Sequence, residues 1–218
     1  MRERGLFITF EGIDGAGKTT QVNRLASALQ AAGVDVVCTR EPGGTKLGDE
    51  IRALLLSRDN QGMTPRTEAL LYAASRAQHV EEVILPSLQA GKVVLCDRFV
   101  DASIAYQGGG LGLGEQAVAG LNEFAVHGVM PDLTIMFELP LEDARTRLCQ
   151  SRGRGQLDRI EARDAAYFSR VQAVFAKLAQ AAQERIHMVD ARLPVDALEQ
   201  EIYHIVWKYI KTPKNLER

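Results

Sequence analysis

Residues Gly12, Ile13, Asp14, Gly15, Ala16, Gly17, Lys18 and Thr19 follow the pattern G-x-x-x-x-G-K-T directly after the apolar run Leu6–Phe10. Glycines at these positions let the backbone curl so that successive N–H groups face one phosphate, and the helix that follows adds the positive end of its dipole. Lys18 is placed to reach the β- and γ-phosphates of a nucleoside triphosphate, and Thr19 to ligate Mg²⁺. The flanks meet the structural requirement of such a loop. Val22, Leu25, Ala26 and Leu29 recur at helical spacing, so the motif stands between a strand and a helix.

Other residues offer chemistry of the same kind. Asp97 ends the apolar run Val93–Cys96, where a carboxylate either addresses Mg²⁺ through water or caps a helix. Arg98 follows it and suits bidentate capture of a phosphate, which implies a second anionic substrate. Arg152, Arg154 and Arg159 lie on a stretch loosened by Gly153 and Gly155. It reads either as a closing lid over about residues 150–163 or as a solvated turn with surface charges. An arginine delivered by closure would stabilise the charge on a transferring phosphoryl group. Tyr72 and Arg76 are four apart on a helical pattern and share a face. They could stack on a base and hold a phosphate, or be a buried tyrosine beside a surface arginine. Ser103 and Gln107 adjoin a Gly-rich stretch and could hydrogen-bond a base edge.

The elements that must position these residues alternate. Strand patterns at Leu6–Phe10, Val34–Thr39, Val93–Cys96, Leu133–Leu139 and Ile186–Val189 are separated by helical patterns, the signature of parallel βαβ units. The helical patterns cover Lys18–Ala32, Leu47–Leu56, Thr67–Ala90, Glu115–His127, Leu141–Arg152, Ala165–Ala182 and Val195–Ile210. Pro86 should kink or end the third. The fold class is therefore α/β: a five-stranded parallel sheet of the P-loop NTPase type, helices on both faces and a mobile lid, all in one domain over residues 1–218. Ligands of such sheets bind beyond the carboxyl ends of the strands, where Gly12–Thr19, Arg40–Gly44 and Asp97-Arg98 converge. Tyr106–Gly114 and Arg152–Arg163 break the alternation and read as mobile loops.

Bulk properties narrow the class. With 46% hydrophobic and 25% charged residues, the 218-residue chain has the make-up of a soluble globular protein. A net charge of −2 calls for neither a nucleic-acid polymer nor an anionic membrane as partner. Cys38, Cys96 and Cys149 lie inside apolar runs without metal-ligand spacing and are expected to be buried and unpaired, as in a reducing compartment. The apolar residues before Glu11 are too few for a signal peptide or a membrane span, so a cytoplasmic location is expected. The Thr67–Ala90 and Glu115–His127 helices carry more apolar residues than one core-facing stripe needs, which fits either a dimer face or burial within the monomer. Lys208–Arg218 reads as a frayed basic tail.

Taken in order, the P-loop, Arg40-Glu41-Pro42-Gly43-Gly44-Thr45, Asp97-Arg98-Phe99, Ala105-Tyr106-Gln107-Gly108-Gly109-Gly110 and Arg154-Gly155-Gln156-Leu157-Asp158-Arg159 make a chain that resembles the bacterial thymidylate kinases over essentially its whole length. The resemblance implies transfer of the γ-phosphoryl group of ATP to dTMP, with Mg²⁺, by a homodimer. It implies that Gly12–Thr19 hold the ATP phosphates and that Asp14 contacts the 3′-hydroxyl of dTMP. Arg76 and Arg98 would bind the dTMP phosphate, and Tyr72 would stack on thymine where many members have Phe. Ser103 and Gln107 would address the base, and Tyr106 would pack against the sugar. One type in this family carries an arginine after the acidic residue of the loop; here that position is Gly15. The resemblance then implies that the cation comes from the lid, from Arg154 with Arg152 and Arg159 in support.

Overall fold

A computed structural model describes residues 4–152 and 157–211, with the side chain of Arg152 left out. Five strands, β1 (Leu6–Glu11), β2 (Val36–Arg40), β3 (Val93–Asp97), β4 (Leu133–Glu138) and β5 (Ile186–Asp190), form one parallel sheet in the order β2-β3-β1-β4-β5. The central strands β1 and β3 are buried along their whole length, as their unbroken apolar runs require when helices cover both faces. Register puts Arg40, Asp97 and Phe10 in one row, so the carboxyl ends of three strands deliver Arg40, Asp97 and Glu11 to one edge.

Helix α1 (Lys18–Ala31) buries the stripe Val22, Leu25, Ala26 and Leu29. Helix α2 (Lys46–Leu56) is capped by Thr45, whose hydroxyl accepts from the Gly48 N–H. Helix α3 (Pro65–His79) starts with Pro at the first turn behind the cap Thr64. Helices α4 (Leu85–Gln89), α5 (Val100–Ser103), α6 (Glu115–Val126), α7 (Leu141–Arg152), α8 (Ala165–Ala181) and α9 (Val195–Lys211) complete the order. Of the basic residues of the tail expected to fray, Lys208 and Lys211 are helical, and Lys211 sits over the Trp207 ring; Lys214 and Arg218 lie outside the described residues.

Two further expectations are corrected, and that for Pro86 takes a particular form. Pro86 does not end the α3 pattern at its own position: a π-helical turn, Val80–Ile84, forms ahead of it, with the Leu85 N–H reaching back to the Val80 carbonyl. A helix that contains Pro must release one i−4 bond, and the widened turn absorbs the mismatch. The Gly-rich stretch is no loop. Ile104–Gly110 continues α5 as a buried π-helical segment against α8. A Cβ at Gly109 would lie 2.4 Å from the Val174 side chain, and one at Gly110 would lie 2.5 Å from the Tyr167 ring, so these glycines serve close packing. Cys38 and Cys149 are exposed, and only Cys96 is buried. Cys38 sits on β2, an edge strand, which leaves one side of the strand open.

Candidate active site

The P-loop hangs between β1 and α1 and leans on α7. Gly15 has φ +85°, and a Cβ there would stand 2.4 Å from the Ala144 carbonyl oxygen, so both the backbone and the neighbouring helix demand glycine. Lys18 is buried and donates to the carbonyls of Gly12 and Ile13 at 2.9 and 2.8 Å, which aims its ammonium back over the loop. Burial, and after it the charge of Arg98, lowers the Lys18 pKa to about 8. Thr19 Oγ1 donates to Asp97 Oδ2 at 2.5 Å. Asp97 Oδ1 is buried without a hydrogen-bond partner, with Arg98 Nη1 3.7 Å away. A hydroxyl and a carboxylate side by side suit a hard cation that takes oxygen ligands. Among the described residues no cluster of three His, Cys, Asp or Glu side chains could hold a metal ion.

Arg98 occupies the centre. Its φ is +72°, a left-handed conformation that costs a side chain-bearing residue on the order of 1–2 kcal/mol and is tolerated where the surroundings enforce it. The enforcement is visible: the Arg98 N–H donates to the Phe10 carbonyl, and the Phe99 N–H donates to Glu11 Oε1 at 2.8 Å. Glu11 is fully buried, and desolvation, with the charge of Asp101 second, raises its pKa to about 8. The Arg98 guanidinium donates to Asp14 Oδ1 at 2.8 Å and lies 5.9 Å from the centre of the Tyr106 ring. Burial opposes its charge, but Asp14, Tyr106 and Asp97 outweigh that and hold its pKa well above the ordinary value.

Two spaces meet at this arginine. A cavity of about 550 Å³ is lined by Asp14, Tyr72, Arg76, Arg98, Ser103, Tyr106 and Gln107, every residue the sequence suggested for a second substrate. A more open polar groove of about 1460 Å³ contains Thr19, Arg40, Asp97 and Lys46. Asp14, Glu41, Arg52 and Arg98 line both. A phosphate held in the groove and an acceptor held in the cavity would therefore face one another across Asp14 and Arg98.

Arg76 differs from the reading as a surface arginine. It is 1% exposed, so it is no surface arginine. It donates to Glu41 Oε2 at 2.7 Å, Ser103 Oγ at 2.9 Å, the Phe99 carbonyl at 2.9 Å and Asn122 Oδ1. Four of its five N–H groups are thus committed within the protein, one of them to Ser103. Glu41 also accepts from His79, whose other nitrogen meets Thr39, so the Arg40–Thr45 turn is tied to α3 from inside. Tyr72 is half-buried in the cavity, and desolvation raises its phenol pKa far above the usual value.

The lid residues divide. Arg154 lies outside the described residues, and Arg152 is placed only as the last residue of α7. Arg159 does not face the P-loop: it is buried, donating to the Leu55 carbonyl at 2.7 Å and pairing with Glu68 at 2.7 Å. Residues 157–163 are a strap, its turn closed by Asp158 Oδ1 accepting from the N–H groups of Ile160 and Glu161. Asp158, Ile160 and Glu161 of the strap line the cavity. The sequence reading did not single out Ile160, Glu161, Arg52 or Glu68, because isolated residues with no motif around them carry no local signal.

A groove beside the P-loop that shares an arginine and a carboxylate with a second cavity defines a P-loop phosphotransferase of the nucleoside monophosphate kinase class. Residues 10–202 match the family model for thymidylate kinase. A thymidylate kinase of Exiguobacterium sibiricum is 51% identical over 97% of this chain and 99% of that protein. One of Pseudomonas putida is 47% identical over 91% of this chain and 93% of that protein. The crystal structure of thymidylate kinase from Ehrlichia chaffeensis superposes with a TM-score of 0.74 at 34% identity, covering 93% of this chain and 98% of that one. The chain belongs to the thymidylate kinase family.

Proposed function

We propose that this chain transfers the γ-phosphoryl group of ATP to dTMP, giving ADP and dTDP, with the triphosphate in the groove and dTMP in the cavity. The observation that carries this assignment of sites is that Asp14 and Arg98 line both spaces. Gly12–Thr19 hold the ATP phosphates through their N–H groups, and Lys18 turns from its own loop carbonyls to the phosphates when they arrive. Thr19 and Asp97 would hold Mg²⁺, which would neutralise phosphate charge. Arg98 binds the dTMP phosphate and aligns it with the γ-phosphorus. Asp14 takes the 3′-hydroxyl, Tyr72 stacks on the base, Ser103, Gln107 and the uncommitted N–H of Arg76 face its polar edge, and Tyr106 packs on the sugar. The reaction needs alignment and charge stabilisation more than covalent help, so these fixed groups supply most of what it requires. Arg154 supplies the cation that Gly15 cannot, and closure excludes the water that would hydrolyse ATP.

The enzyme works as a single domain, in the cytoplasm, as a homodimer. Among the described residues no helix is long and apolar enough to cross a membrane. Phe124 on α6 is 88% exposed and Leu70 on the neighbouring α3 is 57% exposed, a pair of apolar side chains that suits a second copy of the chain. An ADP-release assay with Mg-ATP against dTMP, dUMP, dCMP, dGMP, dAMP and no acceptor tests the reaction. Turnover centred on dTMP supports it; ADP release at one rate regardless of acceptor would instead mark a P-loop ATPase switch, which would leave Arg76, Arg98 and Gln107 idle.

A further inference from the structure

Glu68 on α3 is fully buried, and three side chains from two distant segments converge on it. From the strap, Arg163 Nη2 donates to it at 2.6 Å and Arg159 Nη2 forms an ion pair with it at 2.7 Å, and Gln107 Nε2 donates at 3.1 Å from the Ile104–Gly110 segment. As the shared partner of two guanidinium groups, Glu68 is a carboxylate and offers acceptors only. The Gln107 atom turned toward it must then be the amide nitrogen, a choice that the network dictates and no isolated amide would make. The amide carbonyl oxygen is left as the group Gln107 presents elsewhere, and Gln107 lines the cavity with Tyr72 and Tyr106.

We propose that Glu68 is a positioning residue that selects the acceptor base by fixing the Gln107 amide, so that a carbonyl oxygen and not an NH₂ group meets the base. This inference rests on the reading of the cavity as the dTMP site. A keto pyrimidine brings an N3–H to that oxygen. A cytosine brings a lone pair at N3, which an oxygen acceptor repels. The same carboxylate anchors the strap whose Ile160 and Glu161 wall the cavity, so base selection and the shape of the pocket share one buried charge.

The test compares kcat/KM for dTMP and for 5-methyl-dCMP, which share sugar, phosphate and methyl group and differ only along the edge in question. The variants are Glu68→Asp, Glu68→Gln, Gln107→Leu and the pair Glu68→Asp with Gln107→Leu. Glu68→Asp keeps a charge for both arginines but is one methylene short of Gln107, so it stays informative even if Glu68→Gln leaves the guanidinium groups unpaired and fails to fold. The preference for dTMP is expected to fall about tenfold in Glu68→Asp, the scale of one mispaired buried hydrogen bond. In the Gln107→Leu background the same change should have no further effect on the preference. A preference that survives in Glu68→Asp but is lost in Gln107→Leu overturns the role of Glu68 alone. A loss in Glu68→Asp that persists in the Gln107→Leu background also overturns it, because Glu68 would then act by another route. A preference untouched by Gln107→Leu overturns the placement of the base in this cavity. A purely structural role would slow both substrates alike and leave their ratio where it was.

Discussion

Gly110→Ala separates two accounts of the Gly-rich segment by the sign of one number. If Ile104–Gly110 were a flexible loop, alanine would restrict the unfolded chain and stabilise the protein by about 0.4–1 kcal/mol. In the packed segment the new Cβ falls 2.5 and 2.9 Å from the Tyr167 ring and 2.9 Å from Val171 Cγ2. The ring has little freedom to retreat. Its hydroxyl accepts from Arg163 Nη1 at 2.7 Å, the Arg163 guanidinium lies 4.6 Å from its centre, and the Tyr106 and Phe168 rings stand edge-on at 6.2 and 5.2 Å. Overpacking of this kind costs about 2–3 kcal/mol, of which the better helix propensity of alanine returns about 1 kcal/mol. The net loss is then roughly 1–2 kcal/mol, or a fall in Tm of roughly 2–8 °C for a chain of this size. Urea unfolding followed by circular dichroism gives the first figure and calorimetry the second. Gly62→Ala, where a Cβ meets nothing within 4 Å, is the control and should be neutral or slightly stabilising. A Gly110→Ala variant as stable as the parent would refute the packing argument.

Other outcomes follow from the same geometry. Arg98→Gly should be more stable than Arg98→Ala by about 1 kcal/mol, because φ +72° strains alanine and not glycine, while both lose activity on dTMP by roughly a hundredfold or more; equal Tm values would mean that the backbone relaxes. Binding of a triphosphate should return Lys18 toward its ordinary pKa from about 8, so ATP binding at pH 9 takes up a proton, seen by calorimetry in buffers of different ionisation enthalpy and lost in Lys18→Met. Arg154→Ala should lower kcat about a hundredfold with little change in dTMP affinity. Arg159→Ala, by contrast, should lower stability by about 1–3 kcal/mol through the loss of a partner from buried Glu68; a normal Tm with reduced kcat would return Arg159 to the ATP side.

Much of the site is legible in the sequence because it rests on short-range patterns. The P-loop is contiguous, and the strand that precedes it and the helix that follows are marked by periods of two and 3.6 residues. Asp97-Arg98 was legible for the same reason, since a polar pair that ends an apolar run must emerge at the carboxyl edge of the sheet. The errors have a common origin. The Gly-rich segment and Arg159 offer composition alone, and composition cannot say whether glycine serves flexibility or contact, nor whether an arginine faces solvent or a buried carboxylate.

By itself, then, the chain determined a parallel α/β sheet with a phosphate loop at its carboxyl edge, because hydrophobic period and backbone geometry are local properties. Only the tertiary structure decided which polar groups meet. It set Arg76 on Glu41 and Ser103, tied Arg159 and Gln107 to Glu68, and held Arg98 in a left-handed turn over Asp14. Those partners lie from 27 to 91 residues apart in sequence (Arg76 to Ser103, and Glu68 to Arg159), and a buried charge takes whatever counter-group the packing brings to it.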